Sequence, residues 1–158
     1  QIDSELILLI ATIFKSSTIV LIGPDKLKKD ETYANLRESK NVKFLGMISQ
    51  KILPNYIKYF DVAIMPYTYS SHMPTSFPLK TYEYLSLGKP IVTIELPDLL
   101  FLNSLLYLSK DHSEFIKNIK IALNEDDHSA YKKRISISED NSWSKKAIEI
   151  KNILDNSH

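Results

Sequence analysis

The stretch 70–90, SSHMPTSFPLKTYEYLSLGKP, decides how the rest of the chain is read. It runs loop, helix, stop. Pro74 and Pro78 keep the residues before them extended. From Leu79 the apolar and aromatic positions fall at Leu79, Tyr82 and Leu85, with Tyr84 and Leu87 beside them, which is helical spacing. Gly88 supplies a residue able to take positive φ at the helix end, and Pro90 blocks continuation. The helix N-terminus therefore points into a loop of small residues, with Lys80 in its first turn. Unpaired backbone N–H groups, a helix dipole and a lysine together suit an anion such as phosphate. Glu83 lies on the same face, three residues after Lys80, within reach of hydroxyls carried by that anion. The competing reading is an ordinary capped helix bearing a solvated Lys80–Glu83 pair.

Working outward, 158 residues at 44% hydrophobic and 25% charged fit one globular domain with a substantial core. The net charge of +1, with acids and bases scattered, offers no basic field for nucleic acid. The absence of cysteine excludes disulfides and thiolate metal sites. The longest apolar run, Leu6 to Phe14, is too short to span a bilayer, and Asp3 and Glu5 stand where a signal peptide would be basic. The chain opens at Gln1, directly in a helical pattern, and reads as a piece of a longer protein.

Leu6, Leu9, Ile10, Ile13 and Phe14 predict an amphipathic helix capped by Asp3 or Ser4. Thr18–Ile22 reads as a buried strand ended by Gly23-Pro24-Asp25, and 30–38 as a weak polar helix. Asn41–Gly46 is a second strand. Ser49 is placed to cap a short helix through Phe60, with Pro54 tolerable near its start. Asp61–Pro66 is a third strand, followed by a loop, 67–78, long enough to carry function. Ile91–Ile94 and Leu105–Leu108 are the fourth and fifth strands. Helices are expected over 113–124, 129–137 and from Ser142 through Trp143 to Leu154. Strands alternating with helices mean an α/β fold, a Rossmann-like parallel sheet covered on both faces. Ligands of such sheets bind beyond the strand carboxyl ends, where Gly23, Gly46, Pro66 and the Leu79 helix start all sit.

Among other candidates, Thr75, Ser76 and the Phe77 backbone are phosphate donors or merely polar loop residues. His72 is a base, a phosphate donor or neither. His112, His128 and His158 lack partners at ligand spacing, and Glu125-Asp126-Asp127 reads as a solvated turn rather than a cation site. No glycine-rich phosphate loop is present, since all three glycines are isolated.

The series VLIGPD, NVKFLGMIS, LPNYIKYFDVAIMPY, FPLKTYEYLSLGKPIV and SWSKKA, in this order from Val20 to Ala147, resembles the C-terminal nucleotide-sugar-binding domain of GT-B glycosyltransferases. The similarity is closest to the group 1, family-four type, in its PLK-x-YEY branch, and extends from about Asp3 to Leu154. It implies one domain over 1–158 within a longer two-domain hexosyltransferase, with 142–155 as the helix that crosses back to the other domain. It implies transfer of a sugar from a nucleoside diphosphate sugar to a glycan or lipid-linked acceptor in bacterial surface polysaccharide or capsule synthesis. Such a protein is cytoplasmic or peripheral at the inner membrane face. By position, Glu83 matches the ribose-binding glutamate, and Ser76, Phe77, Pro78 and Leu79 match the segment facing the diphosphate. Lys80 then neighbours phosphate, and Met47, Ile48 and Ser49 match the segment against the base. No metal or other cofactor is implied.

Two departures stand out. Thr75 occupies the position of a second family glutamate that contacts the donor sugar, which leaves the sugar and the stereochemical course open. The family domain also begins with a strand placed between those at Thr18 and Val62, and this chain starts after it. That predicts a gap in the sheet, edges prone to self-association, and no turnover by 1–158 alone. The alternatives are a non-catalytic GT-B-like scaffold subunit, a nucleotide-sugar epimerase and, last, a flavodoxin-like signalling domain.

Overall fold

The computed structural model describes residues 2–68 and 78–155. Helix α1, Ser4–Ile13, starts where the Asp3 carboxylate accepts the Leu6 N–H at 2.9 Å. Its carboxyl end is closed by Asn41, whose Nδ2 donates to the Ala11 and Phe14 carbonyls at 3.0 and 3.2 Å. Because 6–11 is apolar all round, sequence alone does not phase this helix. Packing does so on Leu6, Ile7, Ile10 and Ala11, leaving Leu9 and Ile13, expected inside, at the surface.

Strand β1, Ile19–Ile22, pairs in parallel with β2, Val42–Gly46, across helix α2, Glu31–Glu38. Helix α3, Leu53–Ile57, keeps Pro54 in its first turn, as expected, but Ser49 does not cap it. The N-cap is Ile52, and Ser49 contributes only its carbonyl, which accepts from the Ile52 and Leu53 N–H groups. Strand β3, Ala63–Met65, then pairs with β4, Ile91–Ile94, and β4 with β5, Tyr107–Ser109, both in parallel. The fifth strand begins two residues later than its apolar run suggests. The preceding residues Leu99, Leu102, Leu105 and Leu106 are buried from a 3₁₀ turn, Pro97–Leu102, and the bend after it, which the sequence reading did not anticipate.

Helix α4, Lys80–Leu85, lies between β3 and β4. Its end carries the one glycine whose role is doubly determined. Gly88 has φ +66°, and a Cβ there would stand 2.2 Å from the Tyr131 ring. Helices α5, His112–Leu123, and α6, His128–Asp140, are capped by Asp111 and Asp127. Helix α7, Trp143–Asp155, follows the Ser142 hydroxyl and has no buried residue.

The result is the expected Rossmann-like α/β architecture, with the expected gap dividing the described strands into a β1–β2 sheet and a β3–β4–β5 sheet. No ladder joins β1 to β3 among the described residues. One apolar cluster crosses the break, with Leu6, Ile10, Ile19, Phe115 and Ile119 packed with Val92 and Ile94. A second, built on Met65, Leu85, Ile91, Leu99 and Leu102, covers the opposite face of the larger sheet. Each such fully buried side chain is worth about 1.5–3 kcal/mol. Every residue of β4 is buried because helices cover both its faces. Among the described residues, no helix is long and apolar enough to cross a membrane.

Candidate functional site

The carboxyl ends of the strands share one edge, and two glycines meet there. Gly23 donates its N–H to the Gly46 carbonyl at 2.8 Å, beside an irregularity in the β1–β2 register. Gly46 takes φ +69°, a left-handed conformation that turns the chain out of β2. Met47 consequently stands 76% exposed, followed by half-buried Ile48 and exposed Ser49.

Gln50, the next residue, lines a groove of about 730 Å³ together with α3, one face of α4, and the α6–α7 junction. Leu79, Tyr82, Glu83 and Ser86 form the α4 wall, at the i, i+3, i+4, i+7 spacing of one helical face. Glu83 is thus on the groove with Leu79. Met47, Ile48 and Ser49 precede its rim, and Lys80 is exposed outside the lining. Pro78 is half-buried, while Thr75, Ser76, Phe77 and His72 lie outside the described residues.

The anticipated Lys80–Glu83 surface pair is not formed. Neither side chain joins an ion pair among the described residues. The N-cap of α4 is Leu79, which offers no side-chain acceptor; the Thr81 and Tyr82 N–H groups donate instead to the Pro78 and Leu79 carbonyls at 2.8 and 3.1 Å. A carboxylate on a groove, without an ion-pair partner among the described residues, can accept from the hydroxyls of a ligand. Trp143 and Lys146 also line the groove, Trp143 at 82% exposure. The sequence reading placed Trp143 on a crossing helix and gave it no part beside Glu83. Only its status as the single tryptophan marks it.

Helix α6 holds α4 in place. The Ser138 hydroxyl donates to the Tyr82 carbonyl at 3.1 Å. Arg134, the one buried residue of α6, donates Nε to the Leu105 carbonyl at 3.1 Å and Nη1 to the Gly88 carbonyl at 3.5 Å. Its Nη1 and Nη2 also grip the Glu125 carboxylate at 2.5 and 2.7 Å, and the Tyr107 hydroxyl donates to the same group. The run Glu125-Asp126-Asp127 is therefore not simply a solvated turn. Glu125 is an interior counter-charge, and Asp127 caps α6. Burial pushes Glu125 up, but the hydrogen bonds from Arg134 and Tyr107 outweigh it and leave the carboxyl below its ordinary value. Tyr107 is raised to about 12 by burial first and by Glu125 second.

Of the remaining histidines, His158 lies outside the described residues, and His112 and His128 have local duties. His112 Nε2 meets Asp3 Oδ2 at 2.9 Å, joining the starts of α5 and α1, and His128 stacks on Tyr131 at 5.9 Å. The single carboxylate after β1, Asp25, accepts from Tyr33 at 2.6 Å and pairs with Lys29.

Against this geometry, residues 5–125 match the family model described as glycosyl transferases group 1. The chain is also 31% identical over 131 residues to the Bacillus subtilis (strain 168) protein named "Putative teichuronic acid biosynthesis glycosyltransferase TuaH". That match covers 80% of this chain and 33% of the relative, so the chain spans about a third of the relative's length.

Proposed function

Because this chain belongs to the group 1 glycosyltransferases, we propose that it forms the donor-binding part of an enzyme that transfers a hexosyl group from a nucleoside diphosphate sugar. The acceptor is a glycan or lipid-linked glycan of surface polysaccharide synthesis, held by polypeptide outside this domain at the inner membrane face. The relative's name supports the polysaccharide context. The observation that carries the reading is Glu83, a carboxylate unpaired among the described residues, set on a groove one turn from the start of α4.

In this reading Glu83 accepts from two ribose hydroxyls, and the segment Ser76–Leu79 with the α4 N–H groups faces the diphosphate. Lys80 adds charge beside it, Met47, Ile48 and Ser49 border the base, and Thr75 lies toward the sugar. Backbone donors and a lysine stabilise the leaving nucleoside diphosphate as charge builds on it, and the scheme assigns no step to a metal. A non-catalytic binding subunit is the second reading, favoured by Thr75 where the family pattern has an acid.

Calorimetric titration of the full-length protein with UDP, GDP and TDP tests this. Hydrogen bonds to a charged group contribute about 1.5–3 kcal/mol, so Glu83→Ala is expected to weaken the preferred nucleotide roughly 10- to 100-fold. Lys80→Ala acts in the same direction and more weakly. A folded protein that binds none of the three nucleotides overturns the reading.

A further inference from the structure

We propose that Trp143 is the residue on which the nucleobase stacks, with its indole closing the Glu83 groove from the side opposite α3. The proposal deepens the reading of that groove as a nucleotide site and rests on it.

The groove has three sides of different chemistry. Helix α4 is its floor, tied to a flanking helix at each side. Toward α3, Lys89 Nζ donates to the Lys58 carbonyl at 2.7 Å, and toward α6, the Ser138 hydroxyl donates to the Tyr82 carbonyl at 3.1 Å. The α3 side contributes Leu53, Pro54 and Ile57, all apolar, and the floor contributes the Glu83 carboxylate. On the side of the α6–α7 junction, Trp143 is the one aromatic ring among the described residues of the lining. A flat ring that carries a hydroxylated substituent matches this cross-section. Its two faces meet aliphatic groups and an indole, while its hydroxyls reach the carboxylate. A nucleoside has that form. A sugar phosphate without a base leaves both side walls unfilled.

Short connections fix where the indole stands. Trp143 follows Ser138 by five residues, and Tyr82, which accepts from Ser138, directly precedes Glu83. The joint between α6 and α7 is held from both ends. The Ser142 N–H donates to the Glu139 carbonyl at 3.2 Å, and Lys145 Nζ pairs with Asp140 across the joint at 2.5 Å. Burial raises the Tyr82 hydroxyl above its ordinary value, and the Lys146 ammonium draws it partly back, which sets the first turn of α7 beside the middle of α4.

Exposure separates Trp143 from the rest of its helix. It is the most exposed of the large hydrophobic side chains described, yet it lines a concavity. Ile148, Ile150, Ile153 and Leu154 of α7 are exposed as well and lie outside the lining. Ligand sites of this size combine apolar and aromatic walls with a few placed polar groups. Base–aromatic stacking tolerates any base, because every base has a π-face. Trp143 therefore supplies affinity for a base as such, and selects nucleotides over base-free phosphates.

The test titrates the full-length protein calorimetrically with UDP, GDP and TDP and follows its fluorescence with whichever it prefers. Trp143→Ala is expected to weaken that nucleotide roughly 10- to 100-fold, the range of one lost base–aromatic stack. Trp143→Phe, which keeps a ring, is expected to stay within about threefold of the parent. Ile150→Ala, on the same helix outside the lining, is expected to bind as the parent does. Circular dichroism checks the fold of each variant. Saturating nucleotide is expected to quench the emission that Trp143→Phe removes. Binding that Glu83→Ala weakens and a folded Trp143→Ala does not leaves the groove a nucleotide site and overturns the assignment of Trp143. So does an equal loss in Ile150→Ala, which makes the effect one of how α7 is seated. Trp143 emission that nucleotide leaves unchanged assigns the indole to other polypeptide or a second copy, and also overturns it. A folded protein that binds none of the three overturns both readings.

Discussion

Removing the guanidinium of Arg134 gives the sharpest view of how the candidate site is held. Its side chain is 2% exposed and that of its partner Glu125 is 11% exposed. Arg134→Met keeps most of the aliphatic volume but strands a carboxylate that water barely reaches, and takes a donor from the Leu105 and Gly88 carbonyls. Breaking a buried pair from one side costs about 3–5 kcal/mol; the residual exposure of Glu125 argues for the lower end, about 3 kcal/mol. For a domain of this size that is a fall in melting temperature of about 6–12 °C. Urea unfolding followed by far-ultraviolet circular dichroism is the suitable assay. The only tryptophan, Trp143, is 82% exposed on α7 and reports poorly on this interior. Replacing both partners, as in Arg134→Met with Glu125→Leu, removes the stranded charge and is expected to recover most of the loss. If the single variant unfolds within about 0.5 kcal/mol of the parent, or the double variant is weaker than the single, the account of this cluster is wrong.

Four further outcomes follow. Acid unfolding is expected to include Glu125: its folded-state pKa is depressed, so its contribution is complete above about 4.5 and is lost as pH falls through the folded value, an effect absent in Glu125→Gln when the acid limb is titrated. Tyr107 behaves oppositely: raised to about 12 from 10.0, it contributes fully below pH 10 and loses that contribution as pH climbs toward 12, and Tyr107→Phe should flatten the alkaline limb. Gly88→Ala meets both a left-handed φ and the Tyr131 ring, so denaturation should show a loss larger than the about 1–2 kcal/mol of the backbone alone; pairing it with Tyr131→Ala should relieve the clash and bring the glycine-site cost back toward that backbone figure, measured against Tyr131→Ala. Asp3→Ala removes the cap of α1 and the His112 contact, with an expected loss of about 1 kcal/mol in the same assay.

The order of elements was readable because each carries a local signal. β-Branched runs ended by glycine or proline gave β1, β2 and β3, and the Gly88–Pro90 stop gave the end of α4. What local signals do not carry is phase and partnership. An all-apolar Leu6–Ala11 cannot say which side faces in until α5 and the strands are beside it. The 3₁₀ turn at Pro97–Leu102 escaped because four leucines after a strand suit a strand, a helix or neither equally well. Arg134 and Glu125 are nine residues apart and look like surface charges; their burial is set by Tyr107 and Leu105, which arrive from elsewhere in the chain. For the candidate site, the spacing of Lys80 and Glu83 on α4 was legible. That Glu83 would share a groove with Gln50 and Trp143 was not, since those residues come from β2's exit and the α6–α7 junction.

The break between the two sheets also has a mechanical meaning. Within β3–β4–β5 a pull along the strands loads several backbone hydrogen bonds at once, and they fail together. Across the break, among the described residues, the load falls mainly on side-chain contacts such as Ile19 and Phe115 with Val92, with the Asp3 N–H to Pro66 carbonyl bond and the Ile2–Tyr67 bridge at one end. Dispersion contacts are individually weak and yield one after another over a short slide. A molecule tethered through β2 and β5 is therefore compliant in one direction, with the two halves shearing past each other well before either ladder unzips.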